Sequence, residues 1–188
     1  MKTTRLAAFL FLITCACASP PRYAVPERVG DWSIRAAAGA APTTVRTDEA
    51  KVFFGQPYVR HEEHEGTTAL ARLETVTVLE DGWRVGPYLD VGTADFDDVR
   101  GTHATLGAAA RFYPTAGLFL EGRAGLRGQQ LGDELTGLGY DLGAAVGVEY
   151  RGFFCTVGYG FGAVELDGGD VQAEFDGLTL MVGGTIRL

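Results

Sequence analysis

From Trp83 to the C-terminus, apolar and polar residues alternate almost without a break, and the polar set carries charge. In the stretch 83–92, Trp83, Val85, Pro87, Leu89 and Val91 share one parity, and Arg84, Gly86, Tyr88, Asp90 and Gly92 share the other. Successive side chains of a strand point to opposite faces, so a period of two marks a two-faced strand. The apolar parity recurs in every later strand, while glycines are interleaved with the charges. That pattern suits a small transmembrane β-barrel, apolar outside and polar within.

Composition is consistent with this reading. The chain has 188 residues, enough for one domain. Its 27 glycines and 7 prolines fit many strands with a tight interior, not disorder. A net charge of −8 and a pI near 4.8 exclude nucleic acid as a partner, because phosphate binding needs clustered Lys and Arg. No run reaches the roughly 18 apolar residues of a membrane-spanning helix. The mean hydropathy of +0.07 is ordinary, because alternating strands average out.

The N-terminus reads as an export signal over 1–18. Lys2 and Arg5 form a basic region, Leu6 to Ile13 are apolar, and Ala16-Cys17-Ala18 is a small-x-small cleavage site. Leu12-Ile13-Thr14-Cys15 also resembles a bacterial lipobox, so two outcomes stand: cleavage after Ala18 or lipidation of Cys15. Residues 19–31 read as a short periplasmic leader and 32–188 as the barrel domain. Beyond the signal only Cys155 remains, so the mature domain has no intrachain disulfide.

Eight strands are predicted, near 32–41, 67–79, 83–93, 103–113, 117–127, 140–150, 153–164 and 177–188. Long connections (42–66, 94–102, 128–139, 165–176) alternate with short ones (80–82, 114–116, 151–152). Bacterial barrels have short periplasmic turns and longer extracellular loops. The even strand count and that alternation place both termini in the periplasm. Two features fit less well. Pro87 cannot donate to the ladder, so a bulge or local break is expected there. Val76 and Val78 make strand two apolar on both faces.

Opposite the apolar parity lie Arg35, Arg72, Glu74, Arg84, Asp90, Arg111, Glu121, Arg123, Glu149 and Arg187. An Arg or Lys facing lipid at mid-bilayer costs about 2–4 kcal/mol. Even halved for depth, ten such charges would cost on the order of 10–20 kcal/mol, against a net stability of about 5–15 kcal/mol. The charges are therefore expected to face inward and pair with one another. Eight strands leave an interior that side chains fill. Inward glycines such as Gly107, Gly143, Gly147, Gly158, Gly160 and Gly162 leave room for guanidinium groups. The expectation is a plugged, salt-bridged interior. Trp32, Trp83, Phe112, Tyr150 and Phe153 all have outward parity at the turn ends of their strands, a girdle at the periplasmic interface.

Residues 31–188 resemble the small outer-membrane barrels of the OmpA/OmpX type. The last strand ends Gly183-Gly184-Thr185-Ile186-Arg187-Leu188, similar to the C-terminal signal read by the barrel-assembly machinery. It departs in Leu188, where phenylalanine is commonest, and in Met181, where a polar residue is usual. The resemblance implies an all-β, eight-stranded antiparallel up-and-down barrel in the outer membrane, among lipids and lipopolysaccharide. Barrels of this type include anchors, adhesins and lipid-modifying enzymes, and fold does not choose among them.

The chemistry is sparse. Arg60-His61-Glu62-Glu63-His64-Glu65, placed in the first long connection, is the most ligand-rich stretch. Zinc proteases need histidines four apart on a helix, and His61 and His64 are three apart. With Asp95, Asp97 and Asp98 they are weak metal candidates beside the simpler reading of a solvated surface. The long connections carry 15 acidic residues against five basic ones, Arg127 included. Such a rim could recruit divalent cations that bridge lipopolysaccharide, since hard cations prefer oxygen ligands. A lipid-A-modifying enzyme would need an outer serine, but the only serines are Ser19 in the leader and Ser33 at the periplasmic end. His103 near the outer mouth reads as an ordinary strand-entry histidine, and Cys155 faces lipid. A soluble lipocalin-like barrel would need an apolar lumen, against six arginines of inward parity. The reading is a non-catalytic structural or surface-interaction barrel without cofactors.

Overall fold

A computed structural model describes residues 28–53, 56–80, 82–96, 99–115, 117–132, 135–166 and 171–188. The export signal and residues 19–27 of the leader lie outside the described residues. Eight strands run in chain order: β1 (Trp32–Phe53), β2 (Gln56–Glu80), β3 (Trp83–Phe96), β4 (Val99–Thr115), β5 (Leu118–Leu131), β6 (Leu135–Tyr150), β7 (Phe153–Leu166) and β8 (Val171–Arg187). Each pairs antiparallel with the next, and β1 closes on β8 to complete the barrel. Closure begins beside the two ends of the described chain, where Ser33 pairs with Arg187 and Leu188 N–H donates to Trp32 O at 3.0 Å. This end, with its short turns, is called the terminal end below; the opposite one is the far end.

The short turns have a local cause. Tyr150 and Phe153 pair across a two-residue loop in which Arg151 has φ 50° and Gly152 φ 83°. Positive φ at both central residues is the type I′ geometry that matches strand twist. Gly82 (φ 83°) and Gly117 (φ 97°) serve the other two turns.

The strands are longer than expected. The stretches 42–66, 94–102, 128–139 and 165–176 were expected to be loops, yet their described residues are mostly strand. β1 and β2 stay in register from Trp32↔Thr77 to Phe53↔Gln56. The reason lies in the side-chain pattern. Outward on β3 come Trp83, Val85, Pro87, Leu89 and Val91, then Thr93 and Asp95; inward come Arg84, Gly86, Tyr88, Asp90 and Gly92, then Ala94 and Phe96. Near the far end the two faces exchange polarity. On β8 the outward run Ile186, Val182, Leu180, Leu178 gives way to Asp176, Glu174 and Gln172, while Phe175, Ala173 and Val171 are buried. A search for an apolar outward face stops where the strand leaves the bilayer.

The barrel thus has two storeys. In the terminal storey Leu106, Leu126 and Val182 are 66%, 74% and 58% exposed, as residues facing lipid. About nine to eleven residues per tilted strand span a bilayer, which matches the outward apolar runs. In the far storey the outward residues are mostly polar, with Val59 and Leu138 as exposed apolar exceptions. The interior there is an apolar cluster of Val45, Ala94, Phe96, Leu131, Val164, Leu166, Val171, Ala173 and Phe175.

Pro87 interrupts the ladder as expected. Pairing of β2 with β3 skips from Glu74↔Tyr88 to Thr77↔Val85 without a register change, and the bulge lies further on, at Val78/Glu80. Pro42 makes a second gap, between Ala40↔Leu180 and Thr43↔Gly177 on β8. Val76, which made strand two look two-sided, is buried inside the barrel.

Candidate functional site: barrel interior and far-end rim

Nine of the ten charges expected inside are there. Residues of one parity on neighbouring strands stack at the same depth, so side chains from β1 to β6 converge on the axis. Arg72 grips Asp90 with two hydrogen bonds, Nε to Oδ1 at 2.6 Å and Nη2 to Oδ2 at 2.7 Å. Its Nη1 donates to Glu121 Oε1 at 2.8 Å, and Arg111 Nε donates to Glu121 Oε2 at 2.8 Å. Arg111 Nη2 donates to Glu74 Oε2 at 2.6 Å. Glu74 Oε1 lies 3.2 Å from Arg35 Nε, and Arg35 Nη1 lies 3.3 Å from Glu149 Oε2. Arg84 completes the series at 3.9 Å from Glu149. Acid and base alternate along one chain of eight groups, Asp90–Arg72–Glu121–Arg111–Glu74–Arg35–Glu149–Arg84. Bidentate, charge-assisted bonds are the strong kind, and burial requires them.

Aromatic rings finish the packing. Arg35 stacks over Phe154 at 3.9 Å and Arg84 over Tyr113 at 3.8 Å. Tyr113 accepts from Arg35 Nη1 at 2.9 Å and donates to Glu149 Oε2 at 2.8 Å. Arg123 lies farther along, 3.6 Å from Asp141, and Arg127 Nη1 is 3.3 Å from the same carboxylate. Two of the six glycines make room for a guanidinium as expected, since a Cβ on Gly143 or on Gly160 would come within 2.8 Å of Arg123; one on Gly147 would meet the Phe119 ring instead, and Gly107, Gly158 and Gly162 face other neighbours. A cavity of about 50 Å³ between this pair and the apolar cluster holds His103 on its wall.

Two charge assignments are corrected. Arg187 has inward parity but is exposed at the end of β8, at the rim and not in the buried interior. Arg127, counted with the outer surface, is buried and also donates to Gln129 Oε1 at 3.0 and 2.9 Å. Asp141, Tyr113 and Phe119 were missed. Asp141 shares the parity of Glu149 on the same strand, four repeats away and one beyond Gly143, so following that parity to the end would have found it.

The girdle residues Trp32, Trp83, Tyr150 and Phe153 are exposed at the terminal end; Phe112 is half-buried there, its ring 5.1 Å from that of Trp83. At the other membrane boundary the Tyr159 hydroxyl reaches Asp176 Oδ2 at 3.0 Å, a ring in lipid with its polar tip in water.

The metal candidates do not converge. His61 and His64 sit on β2, not in a loop, and a spacing of three puts them on opposite faces. His61 faces out, its Nδ1 2.7 Å from Asp48 Oδ1; His64 Nε2 is 3.8 Å from Glu62 Oε2. Asp95 is exposed on β3 opposite Arg100, while Asp97 and Asp98 lie outside the described residues. No group of three or more metal-ligating side chains occurs among the described residues. The far storey is acidic all the same. Its described carboxylates, Asp48, Glu49, Glu62, Glu63, Glu65, Asp95, Glu165, Glu174 and Asp176, face four basic residues, Arg46, Lys51, Arg60 and Arg100.

A closed, eight-stranded ring with a lipid-facing apolar band and a charged interior defines a small outer-membrane β-barrel. Solved structures of similar form include Ail, the attachment invasion locus protein of Yersinia pestis (16% identity over 85% of this chain and 100% of that one, TM-score 0.49). Neisserial surface protein A matches at 12% identity (80% and 96% covered, TM-score 0.47), and OprG of Pseudomonas aeruginosa at 11% (86% and 97%, TM-score 0.48). No protein-family model matches the chain, and no curated protein matches its sequence.

Proposed function

We propose that the protein is a closed, non-catalytic outer-membrane barrel whose far storey meets partners at the cell surface. The observation that carries this reading is the chain of eight alternating charges across the lumen, capped by an apolar cluster. An interior filled this way anchors and displays; it does not conduct. With the short turns and both ends of the barrel in the periplasm, the acidic storey stands outside the cell. There it meets the headgroups of lipopolysaccharide, with divalent cations bridging its carboxylates to phosphate. Assembly would use the last strand, whose Ile186 and Leu188 are 68% and 79% exposed and free to be read by the assembly machinery. The absence of catalysis is supported by Ser33 at the terminal end and by Cys155 on the lipid-facing parity. Planar-bilayer recordings test the closed lumen, with no stepwise conductance expected. Steady single-channel openings would defeat the reading. Binding of intact cells to lipopolysaccharide with and without calcium tests the surface role.

A further inference from the structure

Among the described residues, the far mouth is not filled above the apolar cluster. A cleft of about 430 Å³ opens there, its floor formed by the nearly fully buried Val45, Phe96 and Leu131 and its edges by Val99 and Leu135. Small-molecule sites measure about 300–1,000 Å³ and combine a mostly apolar wall with a few placed polar groups. Here the polar groups come largely from one strand. Glu62 and His64, two apart on β2, share the inward face and line the cleft. Glu62 Oε2 lies 3.8 Å from His64, and its other oxygen meets Arg60. The cleft sits inside the acidic storey, so its field attracts cations and repels anions.

We propose that this cleft binds a small amphiphilic amine, its apolar body seated on the five apolar walls and its ammonium turned toward Glu62. The apolar wall sets the affinity. The carboxylate and the surrounding field set the sign of charge, because electrostatic complementarity selects among ligands of equal apolar area. A carboxylate of the same length would meet repulsion, and a neutral alcohol would fall between. The proposal goes beyond a surface-interaction role and does not depend on lipopolysaccharide contact.

The test uses the full barrel in lipid nanodiscs, labelled at Val and Leu methyls and titrated with octylamine, octanol and octanoate. Octylamine should give saturable shifts at Val45, Val99, Leu131 and Leu135, with octanoate about tenfold weaker or more. Leu135→Trp or Thr47→Trp, each filling the cleft, should abolish these shifts. Glu62→Gln should keep the octanol response and narrow the preference for amine. Heat-modifiable migration checks that each variant folds, and a cleft-filling variant that fails this check is replaced by the other. Shifts confined to lipid-facing Leu89 and Leu106 and linear in ligand would mean partition into the bilayer only, and would overturn the proposal. So would saturable binding with equal affinity for amine and carboxylate.

Discussion

Glu121 shows what a single buried charge does in this barrel. Two guanidiniums, of Arg72 and Arg111, hold its two oxygens, and its side chain is almost fully buried. Glu121→Leu leaves both arginines short of a partner. Breaking such a pair costs about 3–5 kcal/mol. Leu120, the next residue, is 48% exposed on the lipid side. Leu120→Ala should therefore cost less than Glu121→Leu, and a urea refolding titration in lipid compares them. Values for Glu121→Leu and Arg123→Leu within about 0.5 kcal/mol of wild type, the scale of harmless surface changes, would contradict their burial. Parity alone placed Glu121 and Arg123 inside. It did not reveal that Arg123 pairs with Asp141 and not with a member of the longer chain of charges. Partner choice depends on strand stagger around the barrel, which a period of two does not encode.

At the scale of elements, the β6–β7 turn and the β1–β2 extension each carry a prediction. Arg151 holds φ 50°, a region that costs a non-glycine residue about 1–2 kcal/mol. Its guanidinium lies 5.2 Å from the Tyr150 ring centre, a contact worth about 0.5–1 kcal/mol when exposed. Arg151→Asn relieves the first and loses the second, so stability should rise by about 0.5 kcal/mol. Denaturant midpoints of the two proteins check this. The β1–β2 extension concerns a misread element. As a loop, 42–66 would be removable at little entropic cost. As strand it contributes Val45 to the far-end cluster beside Phe96 and Phe175. Excising 42–66 should therefore expose that cluster and make the far storey protease-sensitive. Phe96→Ala alone should cost about 3–5 kcal/mol. Limited proteolysis of nanodisc-embedded protein separates the two views of this segment. The far halves of the strands were hard to read because their outward faces, such as Arg46, Asp48, Glu63 and Glu65, look like loop residues. On β3 and β8 alternation persists there with its sign reversed, while on β2 both faces are polar.

For the whole molecule, the interior pairs are shielded from water and the rim pairs are not. Arg46, 48% exposed, meets Asp176 at 3.4 Å, within easy reach of salt. Raising ionic strength from about 0.1 M to 1 M shortens the screening length from about 10 Å to 3 Å. Unfolding free energy should change little over that range, while the proposed surface contact of the acidic storey should weaken. Equal salt sensitivity of both would place the stabilising charges at the surface. The ring of eight strands, the lipid face and the girdle were legible in the sequence, because each rests on parity. The second storey and its cleft were not, because they depend on strands continuing past the point where lipid ends.

The exchange of polarity also fixes how deep the barrel sits. On β3 the outward residue changes from Val91 to Asp95 across Thr93, two pleat repeats, or about 13 Å of strand. Sinking deeper would draw Asp95, Glu165 and Asp176 into hydrocarbon; rising would lift Leu106 and Leu178 into water. The molecule is keyed to one bilayer thickness, and a thicker membrane would have to thin around it. A charge scan down the outward face of β3 would locate the waterline without any image of the membrane: arginine tolerated at Thr93, costly at Leu89.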